Sequence, residues 1–365
     1  MVDRQNYAQM ALNVYVASAE NRPILPAPWE RIPNQPAGTS GFAYAVYKNQ
    51  VTNEVVVCFR GTDNDAGDWL TNFGVSVGQE VQAAQVYARI LREHGSDAQG
   101  SNITFTGHSL GGGIAATMSV WFNRPAVVFD PAPSERFAKE PIHIADVIDQ
   151  LGNDAPQAIV DYFANISSQF AIREGNVTSY YVPGSPVRAF STPGNTITGF
   201  AKDYPLTFGS AHMVGSYEGL KNLHSQALHT AGVMLPAFRS ATVAVQSALP
   251  LVMSTQLYAE DTSGSRRNFL IDLIRSEQAN AGNGKLSHFA ADLSLLGPVV
   301  PTLNRTAQDA LIAQCIEWHY WQPTNYAGPQ FFVQSGNTLQ YTTAEGAQLP
   351  GAQHRAASYV EKWLT

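Results

Sequence analysis

Ser101-Asn-Ile-Thr-Phe-Thr-Gly-His-Ser-Leu-Gly-Gly-Gly-Ile-Ala-Ala116 is the stretch that decides the fold. Its first six residues read as a strand. Gly107-His108-Ser109-Leu110-Gly111 then fits G-x-S-x-G, and small residues from Gly112 onward open a helix. A strand, a sharp turn and a helix around such a serine form a nucleophile elbow. The turn strains the serine backbone, so its neighbours must lack bulk. Gly107 and Gly111 let strand and helix approach closely. The turn exposes the Ser109 hydroxyl, and the helix N-terminus stabilises negative charge beside it. A glycine-rich structural turn is the bland alternative, and it does not call for the strand before and the helix after.

Outward from the elbow, the composition is that of a folded chain. Of 365 residues 44% are hydrophobic and only 14% charged, enough for one large core with additions or for two domains. The 29 Gly and 21 Pro suggest many loops rather than disorder. A net charge of -7 gives no reason to expect nucleic acid. Cys58 and Cys315 are the two cysteines; Cys58 sits in an apolar strand and reads as a buried thiol, so the redox compartment stays open. Residues 1–6 carry no signal-peptide core, and no run of 18 apolar residues occurs. A soluble protein is expected, with export lacking a cleaved signal left open. The end, Val360-Glu-Lys-Trp-Leu-Thr365, reads as an unfinished helix, which suggests a piece of a longer protein.

Helices are expected over 3–20 and 79–94, the latter with Val81, Ala84, Ala88 and Leu91 on one stripe. Pro23 to Pro36 reads as a surface connection. Residues 42–47 and 54–59 form an expected hairpin, and 126–129 and 177–182 further strands. Strands alternating with helices argue for an α/β fold with a mainly parallel sheet covered on both faces. An insertion over about 134–175 holds amphipathic segments at 142–151 and 158–166, either a lid or packing helices. Beyond Leu223 the clearest helices are 223–235, which Pro236 ends, 267–279 and 306–321. The expected domains are a core over 1–235 and a mainly helical extension over 236–365. In that extension the aromatic run at 315–321 reads as core.

Ser109 as nucleophile requires a base, an acid and an oxyanion hole. The backbone N–H of Leu110 supplies one oxyanion donor. The second donor belongs to a loop after an earlier strand, and Val55-Val-Val-Cys-Phe-Arg-Gly-Thr62 provides one. Asp63, Asn64, Asp65 and Asp68 lack the glycine and terminal glutamate of a calcium loop, so no metal is expected there. Asp130 follows the strand after the elbow, 21 residues beyond Ser109, in Val127-Val-Phe-Asp-Pro-Ala-Pro133. It is the favoured acid, with a turn cap as the alternative and Asp203 in reserve. His108 lies inside the elbow and points away from the nucleophile, so the base is sought among His212, His224 and His229. His229 reads as a core or solvated histidine.

The motifs Phe59-Arg60-Gly61-Thr62, Asp68-Trp69 and Gly107-His108-Ser109-Leu110-Gly111, in this order, resemble the class 3 lipase family of α/β-hydrolases. The resemblance is clear over about 40–130 and extends towards 235. It implies that Thr62 lines the oxyanion hole and that Asp68 braces its loop. Family members usually carry the acid where Ser185 stands here, in Tyr181-Val-Pro-Gly-Ser-Pro-Val187. Asp130 looks instead like the acid of pancreatic-type lipases, which sits in a short Asp-Pro-Ala motif. The His224-Ser225 step before a helix resembles the family's histidine and is favoured as base; His212, in a loop similar to a lipase histidine loop, is the alternative.

The resemblance implies a serine carboxylic-ester hydrolase acting on lipids, a lipase or phospholipase A1, through an acyl-enzyme. Its substrate would be a lipid or other acyl ester, with no cofactor and with transient contact at a lipid interface. A non-catalytic lipid-binding module, supported by Ser185, and an acyltransferase or serine peptidase on the same fold are the competing readings.

Overall fold

A computed structural model of the chain describes residues 3–16, 22–33, 42–61, 77–189, 202–209, 213, 219, 222–253, 268–326, 328, 330–335 and 338–342. The chain divides into two compact units, residues 1–21 with 25–205, and residues 22–24 with 206–365. The division falls at Pro205, ahead of the boundary at 235 read from the sequence.

The first unit comprises α1 (Arg4–Asn13), β1 (Trp29–Ile32), β2 (Tyr44–Asn49), β3 (Val55–Phe59), α2 (Val77–His94), β4 (Ile103–His108), α3 (Leu110–Phe122) and β5 (Ala126–Phe129). It continues with α4 (Glu135–Lys139), α5 (Pro141–Leu151), α6 (Gln157–Ala164), α7 (Ile166–Arg173), β6 (Val177–Tyr181), α8 (Pro186–Ala189) and β7 (Lys202–Pro205). The seven strands lie side by side in chain order. β1 to β3 pair antiparallel and β3 to β7 parallel, the mainly parallel sheet of an α/β-hydrolase. β3, Val-Val-Val-Cys-Phe, has no exposed residue, as a strand paired on both edges and covered on both faces requires.

Strands added in one direction through right-handed crossovers place their connecting helices on one face. Val57, Phe59, Phe105 and Val128 point there and pack with Tyr87, Trp121 and Phe122 of α2 and α3. The Tyr87 ring meets Phe105 at 5.3 Å and Phe122 at 4.3 Å. α1 covers the other face: the Cys58 thiol, aimed the opposite way from Val57 and Phe59, donates to the Met10 carbonyl at 3.4 Å. α1 ends at Asn13, short of the helix to residue 20 expected from the sequence; residues 17–21 lie outside the described residues.

The 134–175 insertion is four short helices. Ile144, Val147, Ile159 and Tyr162 are buried in the same core as α2 and α3, so α5 and α6 are packing helices of the crossover from β5 to β6. Arg173 is buried and its Nη1 donates to the Val120, Trp121 and Ala158 carbonyls at 3.3, 2.9 and 2.9 Å. A cation there satisfies the last carbonyls of α3 and complements its dipole.

The second unit holds α9 (Gln226–Met234), α10 (Pro236–Ala244), α11 (Ala248–Val252), α12 (Phe269–Ala279), α13 (Lys285–Leu296), α14 (Arg305–Trp321) and a hairpin of β8 (Phe332–Ser335) with β9 (Thr338–Tyr341). Pro236 both follows α9 and starts α10, where its missing N–H costs nothing. Phe238, Phe269, Phe289 and Tyr320 form a continuous aromatic core. Two of the buried carboxylates in this unit tie its elements together. Asp272 pairs with Lys285 at 2.5 Å. Asp292 accepts from His319 Nε2 at 2.7 Å and from the Phe331 and Phe332 N–H groups at 2.9 and 2.8 Å, tying α13, α14 and the hairpin together. Cys58 and Cys315 are free buried thiols, each held protonated by desolvation. Among the described residues no helix is long and apolar enough to cross a membrane.

Candidate active site

The elbow forms where the sequence places it. β4 ends at His108, α3 starts at Leu110, and Ser109 between them has φ 57° and ψ -128°. That is a region reserved almost wholly for glycine, and a non-glycine residue there stores on the order of 1–3 kcal/mol of strain. The surroundings hold it in place. Ser109 N–H donates to the Phe129 carbonyl at 3.1 Å, and the Ser109 carbonyl accepts from Gly113 N–H at 3.0 Å and Ala132 N–H at 2.8 Å. Leu110, the first helical residue, has an N–H among those that no intrahelical carbonyl satisfies.

The glycines are required by contact. A Cβ on Gly107 would stand 2.4 Å from the Gly111 carbonyl oxygen, and one on Gly111 only 2.2 Å from the Phe59 carbonyl oxygen. The end of β3, the elbow and the first turn of α3 therefore meet backbone to backbone.

Asp130 lies directly beside the elbow. Phe129 pairs with His108 across β4 and β5, so Asp130 stands level with Ser109 at the carboxyl end of the sheet. It is fully buried, with φ 39°. Its N–H donates to the Tyr180 carbonyl at 2.8 Å, and its Oδ1 accepts from Val182 N–H at 3.4 Å. A carboxyl group held by backbone next to a neighbouring strand has its orientation fixed.

Asp203 is placed differently. It pairs with Ser179 on edge strand β7, in the row of Gly107 and Val128 rather than that of Ser109. Three strand spacings of about 4.8 Å put it roughly 14 Å from β4. Ser185 follows β6 in a turn, buried, its N–H donating to the Val182 carbonyl at 3.0 Å.

Ser109, Leu110 and Asp130 are thus brought together in the first unit. His224 belongs to the second unit, one turn before α9, and is half-buried. His229 is fully buried, with Nδ1 2.8 Å from the Ser225 carbonyl one turn back. Thr62, Asp68 and His212 lie outside the described residues.

One residue beside the elbow escapes a reading of the sequence. Tyr15, just past α1, accepts the Gly61 N–H at 2.9 Å and donates to the His108 carbonyl at 3.3 Å. The partners are 46 and 93 residues away, so no local pattern signals them.

Over 94 residues the chain is 38% identical to an extracellular phospholipase A1 of Serratia liquefaciens; the match takes in 26% of this chain and 28% of that protein. The chain thus spans less than a third of that relative. The Lip2 lipase structure from Yarrowia lipolytica aligns over 56% of this chain and 78% of that one, at 12% identity and a TM-score of 0.34. Residues 7–213, more than half of the chain, match the phospholipase-like family described as the Tle-like phospholipase domain, and the chain belongs to that family.

Proposed function

We propose that this protein is a serine carboxylic-ester hydrolase acting on lipids, a phospholipase A1 or lipase, working through an acyl-enzyme. The observation that carries the reading is the strained backbone of Ser109 at the junction of β4 and α3. Strain of that kind is retained where it aims a side chain for chemistry.

In the proposed reaction Ser109 Oγ attacks the ester carbonyl while His224 takes its proton. Asp130 holds the imidazole tautomer and balances the imidazolium. Charge on the tetrahedral oxygen is met by the Leu110 N–H, at the positive end of the α3 dipole, and by Thr62. Collapse breaks the ester C–O bond, and the imidazolium protonates the departing alcohol. Water then attacks the acyl-enzyme, giving its proton to His224, and the acid leaves with Ser109 restored. His212 is the alternative base. Asp203 is the weaker alternative acid, since its strand is three removed from the elbow. Ile142 and Ile172, 66% and 69% exposed on the insertion helices, suit transient contact with a lipid interface.

The test is hydrolysis of short and long p-nitrophenyl esters, of matching anilides and of a phospholipid by the wild type, Ser109→Ala and Asp130→Asn. Ester cleavage is expected to vanish in Ser109→Ala and to drop by about 10⁴ in kcat for Asp130→Asn, with folding retained. Full activity of Ser109→Ala would overturn the serine mechanism; preferential anilide cleavage would favour the peptidase reading. Folded wild type inert on every ester would favour the non-catalytic reading.

A further inference from the structure

We infer that Tyr15 is a positioning residue for ester hydrolysis, one hydroxyl that fixes the distance between Ser109 and Gly61 at the end of β3. The inference rests on the serine-hydrolase reading above. Three polar contacts converge on Tyr15 Oη: the Gly61 N–H at 2.9 Å, the His108 carbonyl at 3.3 Å and His108 Nδ1 at 3.2 Å. A phenol has one proton and two lone pairs. With His108 in its Nδ1–H tautomer it meets all three, donating to the carbonyl and accepting from Gly61 N–H and from Nδ1–H. The ring adds an edge-to-face contact with the His108 imidazole at 5.8 Å.

Each contact acts on a group next to the chemistry. The His108 carbonyl belongs to the peptide plane that enters Ser109, so holding it fixes the rotation that aims Oγ. The Gly61 N–H follows the last strand residue of β3 by two positions and precedes Thr62 by one. Gly61 itself packs on the nucleophile: its Cβ position is 3.2 Å from Ser109 Cβ and 2.9 Å from the His108 carbonyl oxygen. The same position is 2.4 Å from Tyr15 Oη, so no side chain can separate the three. Tyr15 therefore links the end of β3 to the end of β4 on the side where the oxyanion would form. Catalytic groups displaced by even 1 Å lose about two orders of magnitude in rate.

Tyr15→Phe keeps the ring contact and removes the hydroxyl. The assay is steady-state hydrolysis of p-nitrophenyl butyrate, with active sites titrated by a fluorophosphonate and folding followed by thermal unfolding. The expected result is a fall of tenfold or more in kcat per titrated site, with KM within twofold of wild type. A purely structural hydroxyl would lower the melting temperature and the number of titratable sites, leaving kcat per site unchanged; that result overturns the inference. Titration divides out any fraction that does not fold. Ser109→Ala in parallel separates the two readings: if it remains active, the serine mechanism itself fails. If it is inactive while Tyr15→Phe turns over at the wild-type rate per site, only the positioning role fails.

Discussion

Replacing Gly111 with alanine tests the packing that builds the elbow. The added Cβ would stand 2.2 Å from the Phe59 carbonyl oxygen and 2.7 Å from the carbonyl carbons of both Phe59 and Arg60. That is about 1 Å short of ordinary contact between heavy atoms. β3 cannot withdraw, because it is fully buried and paired on both sides. α3 cannot withdraw without dragging Ser109, whose carbonyl its first turn holds. Overpacking of a tight interior costs about 1–3 kcal/mol, and a clash with fixed backbone belongs at the upper end. For a unit of this size about 3 kcal/mol is a drop of roughly 6–12 °C in melting temperature. Gly78, on α2, is the internal control, because a Cβ there meets nothing within 4 Å. Gly78→Ala should be neutral or stabilise by up to about 1 kcal/mol through helix propensity. Calorimetric unfolding of both variants, with p-nitrophenyl butyrate hydrolysis alongside, gives the answer. A Gly111→Ala protein melting within 2 °C of wild type at full activity would refute the backbone contact.

Two further predictions concern buried charge. Burial pushes the Glu80 carboxyl up to about 7 from its ordinary 4.5, so the folded state holds a proton that the unfolded chain gives up between those values. Stability is therefore greatest below pH 4.5 for this group and falls by about 3 kcal/mol as the pH rises to 7. Glu80→Gln should gain over wild type between pH 5 and pH 8 in thermal unfolding, and an equal offset at both would show that the carboxyl does not titrate this way. Lys285→Met leaves the Asp272 carboxylate buried without its cation, at a cost of about 3–5 kcal/mol. The double variant Lys285→Met with Asp272→Leu should recover most of that in urea unfolding; a single variant as stable as wild type contradicts the pair's role.

What could be read in the sequence follows from how local each signal is. The elbow, β5 and β6, and the helices of the insertion carry their own patterns, glycines against a strand or apolar residues at helical spacing, and these formed within a few residues of where they were expected. β1 was obscured because Trp29–Ile32 lies inside a proline-rich stretch and needs only an edge position. β7, Lys-Asp-Tyr-Pro, is a polar edge strand whose alternation is too weak to see. α13 lies between glycines and the proline at 298, which mask its apolar face. At the candidate site, the placement of Ser109 and Leu110 follows from a local pattern, and that of Asp130 from its position at the end of a strand adjacent to the elbow. The anchoring of Asp130 by β6, and the link through Tyr15, are set by strands distant in sequence and became visible only once the sheet was assembled.

The strand order of the first unit bears on how that unit comes into being. Each strand lies beside the one synthesised just before it, so the sheet can lengthen at a single growing edge as the chain emerges, with no strand inserted afterwards between neighbours. Ser109 follows the fourth strand to appear, while the Tyr180 carbonyl and Val182 N–H that hold Asp130 arrive with the sixth. A nascent chain halted after β5 would display the Ser109 turn with Asp130 unanchored, and the proposed serine mechanism would have to wait at least until the next strand had docked.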